Sequence, residues 1–252
     1  MSDSYVPESA MVVAAHPDDI EFACAGTLVR WARAGARIVY VLCTSGESGI
    51  EDTAVSREQA MEIRETEQRA AAEIAGAAEV VFLREPDGLL EPTIGLRRRL
   101  VREVRRHRPE VVICGDPTLL WMGPAFLNHP DHRAAATAAI DAVWPAAGQP
   151  NLFREMEEEG LYAHRPRKIY VTGVMQTEAD AYVDIGETIE AKLAALRAHR
   201  SQMGNGNPEP LLRKWAEENG RARGMAYAES FRVVTLVPDA RWEATKGRKG
   251  TA

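Results

Sequence analysis

Cysteine is scarce in this chain: three residues in 252. Cys24, Cys43 and Cys114 are scattered, and two of them fall inside apolar runs. That excludes a disulfide framework and leads us to expect small buried thiols in a reducing cytoplasm. No stretch approaches the roughly 18 uninterrupted apolar residues that a membrane-spanning helix needs. Basic charge is not in excess either. Lys and Arg number 31 against 37 Asp and Glu, and a net charge of −6 gives no general attraction to nucleic acid or an anionic membrane. The first ten residues, MSDSYVPESA, lack a basic segment followed by an apolar run, so no secretory leader is expected. Also missing is Gly-x-Gly-x-x-Gly, the turn that brings a backbone close to a dinucleotide's pyrophosphate.

What remains is an ordinary globular composition, 45% hydrophobic and 27% charged. Apolar, β-branched runs at 11–15, 37–43, 79–83 and 110–114 alternate with helical patterns at 21–34, 55–75 and 94–107. This alternation predicts an α/β fold, a mostly parallel sheet with helices on both faces, in three layers. The strands are continuous apolar runs, as burial on both faces requires. The helix GLRRRLVREVRRHRPE looks basic, but Leu96, Leu100, Val101 and Val104 form one apolar stripe, with the arginines on the remaining surface. After residue 145 a Pro-, Gly- and charge-rich excursion precedes further strands at 168–174, 181–184 and 231–237 and helices at 187–200 and 209–219. With no internal repeat and no linker, we expect a single domain over residues 10–240 with an elaborated C-terminal third. Residues 1–9 and 241–252 are expected to be flexible termini.

The first strand-to-helix turn reads His-Pro-Asp-Asp, with His16, Asp18 and Asp19 side by side. Two carboxylates at a helix N-terminus would occupy its positive end and repel a phosphate. An imidazole and carboxylates suit a divalent metal instead. His16 and Asp19, three apart across a tight turn, can converge on one ion. Asp18 diverges from its neighbour and is left free to take a proton from a water. The plain alternative, an aspartate capping the following helix, accounts for one of the pair but not for the histidine or the second carboxylate.

A catalytic metal site needs a third ligand. Two of the six histidines, His129 and His132, lie in NHPDHRAAATAAIDAV, at the start of an Ala-rich helix after the run 110–114. In a parallel sheet the loops after the strands gather on one edge, so this segment can face the first turn. His132 becomes the third ligand and His129 an imidazole in the layer behind. Asp131 orients one of these two histidines, as carboxylates commonly do at metal sites.

AHPDDIEFACAGTL and NHPDHRAA, about 110 residues apart, resemble the two signature motifs of the PIG-L/LmbE-like zinc deacetylases. The resemblance runs from about residue 10 to about residue 200. It implies a Rossmann-like fold and a zinc-dependent hydrolysis of an N-acetyl amide, usually on glucosamine or a conjugate of it. It makes His16, Asp19 and His132 the zinc ligands, Asp18 the general base and His129 the acid or oxyanion stabiliser, with Asp131 behind it. TSGESG (44–49), RETE (64–67), EPDG (85–88) and RAHRSQ (197–202) also resemble family segments. On physical grounds alone, Arg64 makes a helix-surface bridge to Glu67 or Gln68; the resemblance moves it to the edge of the active site as a substrate-binding residue. Asp87 sits in a turn-forming Pro-Asp-Gly, and the resemblance puts it near the substrate. One departure stands out: Ile20 follows the second aspartate where many members have Glu, and Glu21 comes one place later. His164 reads as a surface residue and His199 as a helix-end one. Trp121 and Met122 read as pocket wall or ordinary packing.

The expected partner is a small N-acetylated sugar or its conjugate, and family members often self-associate, which implies a homo-oligomer here. A rival within the superfamily cleaves a larger amide, such as a mycothiol-type thiol conjugate. A rival from another class is a Rossmann-like binding module without catalysis, against which the missing glycine fingerprint argues. Substrate choice falls to the loops at 45–56, 116–128 and 202–210.

Overall fold

Each strand of a sheet sends alternate side chains to opposite faces, so a run that is apolar throughout must be covered on both. The computed structural model, which describes residues 5–122, 127–173, 178–203, 206–221 and 223–246, has this arrangement. In chain order the elements are β1 (Ser9–Ala14), α1 (Asp19–Ala23), α2 (Ala25–Arg33), β2 (Arg37–Thr44), α3 (Arg57–Ala75), β3 (Glu79–Glu85), α4 (Ile94–His107) and β4 (Val111–Gly115). There follow α5 (Pro130–Val143), β5 (Lys168–Thr172), β6 (Ala181–Asp184), α6 (Ile189–Arg197), α7 (Arg200–Met203), α8 (Glu209–Arg221), β7 (Ala228–Thr235) and α9 (Asp239–Lys246). Met11, Val13, Val39, Val41 and Val112 pack on α4 and α5. Ala10, Val12, Ile38, Tyr40 and Ile113 pack on the opposite face, under α1, α2, α3, α6 and α8. The expected three-layer, mostly parallel α/β architecture is what the chain adopts.

The strand order is β3-β2-β1-β4-β5-β7-β6, parallel from β3 through β5, with β7 antiparallel to both β5 and β6. From β1 the chain winds outward to β2 and β3, then returns to lay β4 on the other side of β1. Connections leave the carboxyl ends of β1 and β4 in opposite directions, and the crevice between them is the usual ligand position in such sheets.

Several local expectations are corrected. The single helix at 21–34 is broken at Cys24, because the buried Glu229 carboxylate of β7 accepts the N–H groups of Gly26 and Thr27 at 3.0 and 2.7 Å. Those are first-turn N–H groups of a new helix, and they need a partner. Residues 5–9 are not a loose end: Tyr5 Oη donates to Glu110 Oε1 at 2.6 Å, and Trp31 Nε1 donates to the Tyr5 carbonyl at 3.1 Å. At the other end α9 runs through Lys246, where a flexible terminus was expected from 241. His164 is buried, hydrogen-bonded through Nε2 to the Pro109 carbonyl at 2.8 Å, and is not a surface residue. The α4 arginines do not all face solvent. Arg105 is buried and donates to the carbonyls of Ala146, Ala147, Gln149, Leu152 and Phe153, which ties the excursion after residue 145 to the domain. The three cysteines are buried free thiols, as expected.

Replacing Arg105 by Met keeps an apolar stem but removes the donors that gather these carbonyls against α4, four of which keep a backbone partner. The expected loss of stability is about 2–3 kcal/mol, read as a lower urea midpoint with an unchanged denaturant slope.

Candidate active site

The turn after β1 is shaped by hydrogen bonds before it is shaped by any ligand. Asp19 Oδ2 accepts the His16 N–H at 2.9 Å, which closes the turn on itself. Asp18 has a left-handed backbone, φ 89°, a region that few residues other than glycine adopt, and its side chain makes no helix-capping bond. The conformation is held from outside. Gln68 Oε1 accepts the Asp18 N–H at 3.0 Å, and Arg64 Nη2 donates to the Pro17 carbonyl at 2.6 Å and to Asp18 Oδ2 at 3.3 Å. Arg64 is only 3% exposed and also donates to the Gly46 carbonyl at 3.0 Å. It makes no surface bridge to Glu67 or Gln68; its guanidinium is a brace between the first and second loops.

Across the crevice, α5 begins at Pro130 with His129 as its N-cap, the His129 Nδ1 accepting the Asp131 N–H at 3.2 Å. Proline at the first helical position and a polar cap before it start a helix abruptly. His132 is thereby turned to the first turn. His132 Nε2 lies 3.1 Å from Asp19 Oδ1 and 3.2 Å from His16 Nδ1, and His16 Nδ1 lies 3.6 Å from Asp19 Oδ2. His16, Asp19 and His132 thus offer three ligand atoms to one point.

The outer nitrogens of both histidines are already engaged. His16 Nε2 faces Asp87 Oδ1 at 3.0 Å and Asp131 Oδ2 at 3.3 Å; His132 Nδ1 faces Asn128 Oδ1 at 3.1 Å. With a proton on each outer nitrogen, the two inner nitrogens turn lone pairs on each other at 3.2 Å, an arrangement that asks for a cation between them. The carboxylates ask for the same thing. Burial opposes charge on His16, yet its hydrogen bonds to Asp19 and Asp87 outweigh that and raise its pKa to about 11. Burial likewise works against the Asp19 anion, but the hydrogen bonds from His132 and His16 hold its pKa well below the usual carboxylate range. Two imidazoles, one carboxylate and an outer layer of acceptors fit a divalent metal with a position left open.

Asp18 stands beside this point without joining it. Burial, and after it the Asp19 charge, push its pKa up to about 7, against the opposing pull of Arg64. His129 lies with its ring centroid 4.9 Å from that of His16, and burial, then the charge on His16, lower its pKa. Because Nδ1 accepts a backbone N–H, the neutral His129 ring carries its proton on Nε2.

Two expectations change here. Asp131, placed behind His129 or His132 by sequence, lies 3.9 Å from His129 Nδ1 but 3.3 Å from His16 Nε2. It is fully buried and accepts the N–H groups of Gly88 and Leu90 at 2.7 and 3.2 Å, so it is a fixed acceptor for His16. Asp87, expected to meet substrate, gives one oxygen to His16 and the other to the Ser48 N–H at 2.7 Å. Its pKa is lowered, burial being outweighed by the hydrogen bond and charge of His16. Both carboxylates thus face His16 Nε2, and Asp87 also lines the cavity.

Sequence reasoning missed the layer beneath Asp18. Gln68 Nε2 donates to Glu21 Oε1 at 3.1 Å, and Glu21 Oε2 lies 3.2 Å from His199 Nε2. Glu21 is therefore used, one place later than the family pattern has its acid. His199 sits between α6 and α7 as a helix-end residue would, but fully buried. Trp121 and Met122 are 69% and 48% exposed, so neither is core; Met122 lines the cavity. That cavity draws on all three loops expected to choose the substrate, through Gly46 and Ser48, Asp116 and Asn128, and Gln202. Residues 123–126 and 204–205 of those loops lie outside the described residues.

A His/Asp cluster that could hold a cation, at the carboxyl edge of a parallel sheet with a raised carboxyl beside it, is an arrangement suited to metal-assisted hydrolysis. Residues 11–143 match the family described as GlcNAc-PI de-N-acetylase, PIG-L, and the chain belongs to that family. A diacetylchitobiose deacetylase of Thermococcus kodakarensis is 35% identical over 231 residues, covering 90% of this chain and 83% of that one. A 1D-myo-inositol 2-acetamido-2-deoxy-alpha-D-glucopyranoside deacetylase of Saccharomonospora viridis is 32% identical over 232 residues, 77% of this chain and 84% of its own. Among solved structures, the N,N'-diacetylchitobiose deacetylase of Pyrococcus horikoshii superposes with a TM-score of 0.83 at 28% identity, over 92% of this chain and 88% of that one. The chain is a deacetylase of this family, and the reading as a binding module without catalysis falls away.

Asp131→Asn keeps the shape but weakens the acceptor behind His16. Metal affinity, measured by competition with a chromophoric chelator, is expected to fall about 10- to 100-fold, while an unchanged affinity would remove Asp131 from its positioning role.

Proposed function

We propose that the chain removes the acetyl group from the nitrogen of an acetamido sugar or its conjugate. The observation that carries the reading is the convergence of His16, Asp19 and His132 on one point with Asp18 beside it, in a de-N-acetylase family chain. The printed names of its relatives, acting on diacetylchitobiose and on an inositol-linked acetamido glucose, support the sugar class.

The three residues would hold a divalent cation, zinc in our reading, which supplies Lewis acidity toward a water and an amide carbonyl. Asp18, buried and close to neutrality in its titration, takes the proton of the water whose oxygen attacks the carbonyl carbon. His129 donates from Nε2 to the oxygen that becomes negative in the tetrahedral intermediate. The C–N bond then breaks, and the proton on Asp18 passes to the departing nitrogen, so that acetate and a free amine separate. Arg64 sets the angle of this carboxyl through Pro17 and Asp18 together. Asp87 and Asp131 hold the His16 ring, and no part in bond making is assigned to them.

Asp18→Asn is expected to retain metal in elemental analysis while free-amine release from N-acetylglucosaminides falls about 10²- to 10⁴-fold. Turnover close to wild type would overturn the assignment of the base. Chelation of the wild-type enzyme should abolish amine release, with recovery on adding back zinc; activity that survives exhaustive chelation argues against a metal site.

A further inference from the structure

Behind Asp18 lies a layer of polar side chains that the proposed chemistry does not use, and one peptide unit carries its effect. The carbonyl of Pro17 and the N–H of Asp18 belong to the same peptide plane, and each is held by a side chain of α3. Arg64 Nη2 donates to the carbonyl at 2.6 Å, and Gln68 Oε1 accepts the N–H at 3.0 Å. Arg64 and Gln68 are one helical turn apart and both are buried. Turning this plane over would return Asp18 from φ 89° to a negative φ, the ordinary region for a residue with a Cβ. It would also aim the carbonyl at Gln68 Oε1 and the N–H at the Arg64 guanidinium, like facing like. The two side chains therefore select the strained plane, and the direction of the Asp18 carboxyl follows from it.

An arginine can only donate, so its half of the grip has one sense. A glutamine amide has two, and only one of them presents oxygen to Asp18. Glu21 makes that choice: its carboxylate only accepts, and Gln68 Nε2 donates to Oε1 at 3.1 Å. A carboxylate buried as completely as Glu21 needs further donors. His199 supplies one, its Nε2 lying 3.2 Å from Glu21 Oε2. That ring is fully buried too, and its Nδ1 has no partner among the described residues, so Glu21 is what the ring is turned to. The α6–α7 junction that carries His199 is seated on α3 by Ser201, whose N–H and Oγ donate to the Glu67 carboxylate at 2.7 and 2.6 Å.

Gln68, Glu21 and His199 are not among the residues that line the cavity, so their influence on the reaction runs through Asp18. We infer that Gln68, its amide sense set by Glu21 and His199, is a positioning residue that holds the Pro17–Asp18 plane and with it the carboxyl of the base. Side chains of α1, α3 and the α6–α7 junction thereby act on the chemistry without touching substrate. This rests on the proposed reading of Asp18 as the base.

The test compares wild-type enzyme with Gln68→Met, Gln68→Glu and the exchanged pair Gln68→Glu with Glu21→Gln. Crystal structures, metal content and the kinetics of amine release from an N-acetylglucosaminide are the readouts. Gln68→Met removes the acceptor, and Gln68→Glu keeps it but sets a carboxylate against Glu21. In both, the Pro17–Asp18 plane is expected to turn and kcat to fall about 10- to 100-fold. KM and metal content should stay as they are, as for an interaction that tells only in the transition state. In the exchanged pair the carboxylate at position 68 accepts from Asp18 and from the amide at position 21, whose oxygen accepts from His199. That pair is expected to restore the plane and most of the lost kcat; if like carboxylates keep Gln68→Glu from folding, it is measured against Gln68→Met. A plane and kcat unchanged in Gln68→Met, or an exchanged pair no better than the single variants, overturns the positioning role. So does a lower thermal midpoint with kcat intact, which reports packing alone. A plane that turns in Gln68→Met, with amine release there and in Asp18→Asn no different from wild type, overturns Asp18 as the base and leaves the lock in place.

Discussion

The inner nitrogens of His16 and His132 lie 3.2 Å apart, and each ring's outer nitrogen is already held, that of His16 by carboxylates of two other segments and that of His132 by Asn128 of its own. An imidazole pinned through one nitrogen has one direction left for the other. The two rings cannot both be neutral, pinned and content with each other, and the cluster is one that could hold a cation. The turn after β1, the start of α5 and the loop after β3 each bring groups to that meeting point and are held there by their own hydrogen bonds.

The sheet makes this meeting possible. β1 and β4 are neighbours although about a hundred residues separate them in sequence, and the chain leaves their carboxyl ends in opposite directions. The His-Pro-Asp-Asp turn and the His129–His132 segment open onto one crevice for this reason. Around the crevice the polar groups are layered. Asp19 and the two histidines face the centre, Asp87, Asp131 and Asn128 stand behind the histidines, and Gln68, Glu21 and His199 stand behind Asp18. Gln68, Glu21 and His199 lend one another partners across α1, α3 and the α6–α7 junction, with the buried His199 Nδ1 left without one among the described residues.

Much of the fold was legible. The apolar runs beginning at 11, 37, 79 and 110 became β1 to β4, because strands buried on both faces have an unmistakable composition. The break at Cys24 was not legible: it depends on Glu229, some two hundred residues away, arriving at the N–H groups of Gly26 and Thr27. Arg105 deceived for a related reason. An arginine beside an apolar stripe normally faces water, and here the loop after residue 145 folds over it and surrounds it with carbonyls.

By itself, the sequence determined which chemistry was available: a histidine and two carboxylates at the first turn, and a second pair of histidines with an aspartate at the start of an Ala-rich helix. Residue type and short spacing settle that much, since a tight turn or one helical turn limits where neighbours can point. Only the tertiary structure decided the allegiances. It gave Asp87 and Asp131 jointly to His16 and drew Arg64 off its helix surface to brace Asp18. Each of those relations joins segments brought together by strand order, and strand order is set by the packing of the whole sheet, which no local stretch of sequence records.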